Sequence, residues 1–243
     1  MAGHSKWANI KHRKNAQDAK RGKIFTKLIR EITVSAKIGG GLLETNPRLR
    51  TVMDKALAQN MTRDTIDRAI KRGVGSGDED NLEEIRYEGY GPYGVAIMVD
   101  CLTDNRNRTV AEVRHAFSKA GGNLGQEGSV AYLFSKKGQI VYAPQKEEGP
   151  ILELAIEAGA DDVEVQEDKS IEITTTPDTF DEVLKNMQAI SIVPEMAEVT
   201  VVPQTLVPLE GEAAAEVQKM LDALEDLDDV QEVYSNADFP EDI

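Results

Sequence analysis

Residues 74–99 read VGSGDEDNLEEIRYEGYGPYGVAIMV, and two changes in the character of the chain fall inside them. The first nine residues, 74–82, are rich in Gly, Ser and acid and read as a linker. After them the hydrophobic period switches from helical to strand-like. Ile85-Arg86-Tyr87-Glu88 leads into a turn cluster over 89–94, and Val95-Ala96-Ile97-Met98-Val99 is a continuous β-prone run that reads as a buried strand. Charge changes sign at the same place. Residues 1–73 hold 17 Lys and Arg against 6 Asp and Glu, a net of +11, whereas residues 74–243 hold 11 against 37, a net of −26. The total of −15 would argue against nucleic acid, but a basic segment carried on an acidic body points toward a polyanion.

Upstream of the linker, residues 1–22 form a basic arm whose large apolar residues are Trp7, Ile10 and little else. So little apolar surface predicts no fixed fold until the arm binds something. Phe25, Leu28, Ile29, Ile32 and Ala36 then recur at helical spacing over 23–38, and Gly39-Gly40-Gly41 ends that helix. Asn46-Pro47 opens a second helix with the apolar stripe Leu49, Val52, Met53, Ala56 and Leu57. Thr62 caps a third, with Ile66, Ala69 and Ile70 inward and Gly73 as its stop. A three-helix bundle over 23–78 is expected.

Downstream, Val110, Val113, Ala116 and Phe117 mark a helix over 108–120, stopped by Gly121-Gly122, and Ser129–Phe134 reads as a strand. The next stretch reads β-α-β-β-α-β. Its strands fall near 138–143, 162–166, 170–175 and 196–202, and its helices near 148–158 and 178–189. Beyond Pro203 come a strand at 204–209, a helix at 211–226 and a strand at 229–234. The expected fold is α+β and multidomain: the bundle, then two ferredoxin-like α/β sandwiches. One, residues 136–202, is inserted into the other, made of 83–135 plus 203–236; a single continuous mixed sheet is the alternative. The acidic tail, 237–243, is expected to fray.

Several function classes find no support. No apolar run approaches the roughly 20 residues needed to span a bilayer, and the N-terminus lacks a signal-peptide core. Cys101 has no cysteine to pair with, which fits a reducing cytoplasm. His4, His12, His115 and Cys101 lack the spacing of a metal site. Cys101 closes an apolar strand, where a small buried residue is the simpler role, and no third group orients His115 toward it. Carboxylates are too numerous for any pair to stand out. Gly89-Tyr90-Gly91-Pro92-Tyr93-Gly94 precedes a strand and Pro92 removes a backbone donor, so it reads as a tight turn and not a dinucleotide loop. The expectation is a protein with no catalytic activity, no metal and no cofactor.

The basic arm is the positive signal. Lys6, Lys11, His12, Arg13, Lys14, Lys20, Arg21 and Lys23 cluster with Trp7 among them. Flexible cations suit phosphate, and an indole can stack on an unpaired base. The bland reading is a solubilising tail, or a Trp7 packed on the bundle. Lys27, Arg30, Arg48 and Arg50 extend the cationic series into the helices. Arg106, Arg108 and Arg114 form a second basic spot in a strand-to-helix loop of the body, where phosphate contact and intramolecular pairing with acids are equally open.

Gly3-His4-Ser5-Lys6-Trp7, Ile10-Lys11-His12, Arg21-Gly22-Lys23, Phe25-Thr26-Lys27-Leu28 and Asn46-Pro47-Arg48-Leu49-Arg50 closely resemble the YebC/PmpR family. So do Tyr87-Glu88-Gly89-Tyr90-Gly91-Pro92, Thr103-Asp104-Asn105-Arg106-Asn107-Arg108-Thr109 and Gly121-Gly122-Asn123-Leu124-Gly125. Tyr93 departs from the pattern, standing where many members carry glycine. The resemblance implies a helical first domain and two α/β domains, the third inserted into the second. It implies a cytoplasmic, DNA-binding transcriptional regulator. The family also includes a mitochondrial activator of cytochrome oxidase translation, and bacterial members have been connected with ribosomes stalled on proline-rich sequences. A translation factor bound to ribosomal RNA is therefore the alternative, and an acidic protein-interaction module a further one. The partners expected are DNA or ribosomal RNA, with the ribosome as a candidate, no membrane, and a monomeric chain.

Overall fold

The computed structural model describes residues 6, 7, 10, 21–75 and 81–240. Its first unit is helical: α1 (Arg21–Gly39), α2 (Pro47–Ala58) and α3 (Arg63–Val74). Their apolar stripes meet in a core of Ile32, Ala36, Leu49, Val52, Ala56, Met61, Ile66 and Ala69. Asn46 ties two of the helices together. Its side chain accepts from the Leu49 amide at 3.0 Å, capping α2. Its Nδ2 donates to the carbonyls of Ser35 and Gly40, at 2.8 and 2.7 Å, at the end of α1. Thr62 caps α3. Gly73 does not stop that helix, which runs on to Val74. Its role is close approach: a Cβ there would stand 2.3 Å from the Thr33 carbonyl oxygen and 2.8 Å from the Ala36 Cβ.

The second unit is a four-stranded sheet in the order β3-β1-β2-β9, from β1 (Glu83–Tyr90), β2 (Ala96–Thr103), β3 (Asn123–Leu124) and β9 (Val230–Ser235). Helices α4 (Arg106–Lys119) and α7 (Gly211–Glu225) cover one face. Ile97, Val99 and Cys101 point to that side, among Val113, Phe117, Val217 and Leu224. Ala96 and Met98 point the other way, against Val130, Phe134 and Tyr234. Burial on both faces is why β2 reads as an unbroken apolar run.

Between β3 and β8 (Val207–Pro208) the chain builds a second four-stranded sheet, in the order β5-β6-β4-β7. Its elements are β4 (Phe134–Tyr142), α5 (Gly149–Glu157), β5 (Asp162–Val165), β6 (Ile171–Thr175), α6 (Phe180–Met187) and β7 (Met196–Pro203). Every neighbouring pair is antiparallel, which is the ferredoxin-like arrangement. Ile140, Tyr142, Ile171 and Ile173 meet α5 and α6 through Ile151, Ala155, Phe180, Val183 and Met187. The chain then returns to the first sheet, with β9 beside β2.

The structure departs from the sequence expectations, or adds to them, at several further places. The strand expected over 129–134 is a short 3-10 turn, Ala131–Leu133, followed by β4. The buried Glu88 carboxylate explains it, accepting the backbone amides of Gly128, Val130 and Ala131 at 2.7, 3.1 and 2.6 Å and so drawing that loop out of the ladder. The tail does not fray at its start. β10 (Ala237–Asp238) pairs in parallel with β8, both its residues are buried, and Phe239 packs on the core; residues 241–243 lie outside those described. In the arm, Lys6, Trp7 and Ile10 are helical, and the remainder of the arm before Arg21 lies outside the described residues. Tyr93 adopts φ 61°, a left-handed conformation that glycine takes at little cost, and its hydroxyl donates to Glu216 at 2.7 Å.

Candidate nucleic-acid interface

Lys23, Lys27 and Arg30 follow one another at helical spacing and share a face of α1. That face looks at the body. Lys23 Nζ donates to the carbonyl of Asp226 at 2.8 Å and Lys27 Nζ to that of Glu225 at 2.6 Å. Arg30 Nη1 reaches the Asp228 carbonyl at 3.0 Å and Asp229 Oδ1 at 3.0 Å. Helix α7 ends at Glu225, so these cations meet carbonyls at its negative end. Burial lowers the Lys27 pKa, with the charges of Glu225 and Glu232 opposing it.

Asp229 is the centre of this contact and is 1% exposed. Besides Arg30 it accepts from Arg108 Nη2 at 2.8 Å, Arg108 Nε at 3.1 Å and Thr109 Oγ1 at 2.8 Å. Burial opposes its ionisation. The hydrogen bonds from Arg108, Thr109 and Arg30 outweigh that, and hold the carboxyl below the usual carboxylate value. Arg108 also pairs with Asp104 at 2.7 Å, and its pKa is raised by the hydrogen bonds to Asp229 and Asp104.

The remaining candidates are scattered. Arg48 pairs with Glu31 at 2.7 Å and with Glu84 of β1. Arg50 donates to the carbonyls of Leu43 and Glu44 at 2.5 and 3.1 Å. Arg106 lies 3.7 Å from Glu83 and is largely exposed. Arg106 and Arg108 belong to the first turn of α4, not to a loop: Asn105 caps the helix by accepting the Arg108 amide at 3.1 Å. Arg114 is exposed one turn or more further on, as are Lys37 in α1 and Arg63 and Lys71 in α3.

Lys6 sits on the inserted sheet, with its amide 2.6 Å from Glu172 Oε1, its Nζ 3.6 Å from Glu172 Oε2, and a hydrogen bond to Gln139 Oε1. Trp7 beside it is half-buried. Lys11, His12, Arg13, Lys14 and Lys20 lie outside the described residues; Arg21 opens α1. The structure thus gathers Lys23, Lys27, Arg30 and Arg108 at one junction, and holds Lys6, Arg48, Arg50, Arg106 and Arg114 apart from it. Sequence reasoning missed Asp229, Glu172 and Lys55, the last of which pairs with Glu198 of β7 at 2.6 Å. Their partners are remote in the chain, and no local pattern marks them.

Burial pushes the Cys101 thiol up to about 12, so the thiolate is scarce at neutral pH. Among the described residues, no group of three or more His, Cys, Asp or Glu is placed to hold a metal ion. No described helix is long and apolar enough to cross a membrane.

Comparison with known proteins covers nearly the whole chain. Residues 5–76 match the model of the TACO1/YebC protein N-terminal domain, and residues 82–237 that of the TACO1/YebC second and third domain. A probable transcriptional regulatory protein of Coxiella burnetii is 62% identical over 243 residues, 100% of each chain. One of Pseudomonas paraeruginosa is 63% identical over 243 residues, covering 100% of this chain and 98% of the relative. Photorhabdus laumondii has another at 60% identity with the same coverage. The crystal structure of a conserved hypothetical protein from Aquifex aeolicus superposes with a TM-score of 0.81 at 48% identity, over 93% of both chains.

Proposed function

The chain belongs to the TACO1/YebC family, and on that premise we propose that it is a regulatory protein that acts by binding nucleic acid, without catalysis. One observation carries this reading: residues 1–73 have a net charge of +11 while the rest of the chain carries −26. Cations near a phosphate backbone release condensed counterions, and that drives binding whatever the total charge of the protein. Several of the helical cations are engaged by the body, so we assign the leading phosphate contacts to Lys11, His12, Arg13, Lys14, Lys20 and Arg21, with Lys37, Arg63, Lys71 and Arg114 as outlying ones. The names of the relatives favour transcriptional regulation on DNA. Trp7 within the basic arm suits unpaired bases and so favours structured RNA, as on a ribosome.

Crosslinking the protein to nucleic acid in living cells and sequencing what is recovered separates the two. Discrete promoter DNA is the expected recovery. Enrichment of ribosomal RNA would replace the transcriptional reading with the translational one. Recovery of neither would leave the acidic body as the working part.

A further inference from the structure

The inserted sheet has one face packed by α5 and α6, and an opposite face that neither of them covers. Register fixes which side chains share that second face. Gln139 stands opposite Thr174 and Glu198, Val141 opposite Glu172, and Glu172 opposite Glu164. A sheet face without helices is ordinarily wet. Here Gln139 is 1% exposed, Val141 0% and Glu172 7%. Lys6 lies across these residues, its amide and ammonium on Glu172 and its ammonium also on Gln139, whose Nε2 donates to Thr174 at 2.9 Å. Further along the same face, Lys55 of α2 holds Glu198. The N-terminal part of the chain therefore places two cations on one carboxylate-rich sheet, where Glu164 adds an exposed negative charge close by.

We infer that this second face of the inserted sheet is the resting seat of Lys6, and that nucleic acid must displace Lys6, and with it the neighbouring Trp7, from it. The second half rests on the nucleic-acid reading above. The seat is an acidic surface that offers Lys6 what a phosphate backbone would offer it. Both cannot hold the ammonium at once, and Trp7, the next residue, moves with it. Burial lowers the Lys6 pKa and raises that of Glu172, so desolvation works against both charges of the pair.

Trp7 is the single tryptophan of the chain, so its fluorescence reports the segment directly. The test uses the full-length protein, the variant Glu172→Gln, acrylamide quenching of Trp7, and labelled single-stranded and duplex DNA of about 20 nucleotides, a length that spans many phosphates. Without nucleic acid, Trp7 is expected to be more readily quenched in the variant. Affinity is expected to rise by about two- to fivefold, the scale of one weakened ion pair. Unchanged quenching overturns the seat. Increased quenching with unchanged affinity overturns the competition. If neither protein binds, the DNA reading fails, and the seat is judged on Trp7 quenching alone. Should Glu172→Gln melt early, Glu164→Lys repels Lys6 from an exposed position on the same face, and the same outcomes apply.

Discussion

Two of the places where the N-terminal part of the chain meets the body differ in kind. At the Asp229 junction a nearly inaccessible carboxylate receives Arg30 from α1 and Arg108 and Thr109 from α4, and Lys23 and Lys27 cap the end of α7 beside it. At the inserted sheet, Lys6 and Lys55 reach Glu172 and Glu198 singly. In the first contact hydrogen bonds overcome desolvation and the carboxyl stays charged; in the Lys6–Glu172 pair of the second, desolvation leads. Interfaces of the same sign pattern thus differ in how fully hydrogen bonding offsets burial. What separates them is how many donors meet each buried charge.

The sharpest way to break this comparison is Asp229→Ala. It leaves Arg30 and Arg108, both partly exposed, without their shared anion, and a loss of about 1–3 kcal/mol in urea unfolding is expected. A loss within about 0.5 kcal/mol, the scale of an ordinary surface substitution, would mean that the junction is not what fastens the module. Gly73→Val tests the packing behind it. The added side chain collides with the Thr33 carbonyl, and about 1–3 kcal/mol of stability should disappear. Lys55→Ala belongs to the weaker contact and should cost at most about 1 kcal/mol, since its side chain is about half exposed.

Acid titration distinguishes the two places by sign. The folded pKa of Asp229 is depressed, so its stabilisation is present above the ordinary carboxylate value and is lost as pH falls through the folded one. Glu172 is shifted up, so its proton binds more tightly in the folded state. Stability gains as pH falls from that raised value toward the ordinary one. Stability curves of Asp229→Ala and Glu172→Gln should each flatten in a different window, the first below the ordinary carboxylate value and the second above it. Identical flattening would erase the distinction.

Much of the fold was legible because it is local. Period, caps and glycines located α1 to α3, and the run from β4 to β7 showed its β-α-β-β-α-β order directly. Gly73 was misread because a helix stop and a close packing contact both select glycine, and only the neighbour at Thr33 tells them apart. Site geometry was far less legible. Arg30 and Asp229 are 199 residues apart, and Asp229 is one acid among 43. The cations of α1 were visible as a row, but nothing in their spacing showed that the row faces the body. Glu88 shaped a loop that strand propensity alone assigned to a strand.

The central claim is that the basic N-terminal segment binds phosphate, and the salt dependence of binding tests it most directly. For the full-length protein and a variant carrying Lys11→Glu, Arg13→Glu and Lys14→Glu, log K for duplex and single-stranded DNA is measured against log salt. The variant should bind more weakly, with a slope shallower by roughly one unit for each phosphate that is no longer neutralised. An unchanged slope and affinity would contradict the account and make the segment a tail.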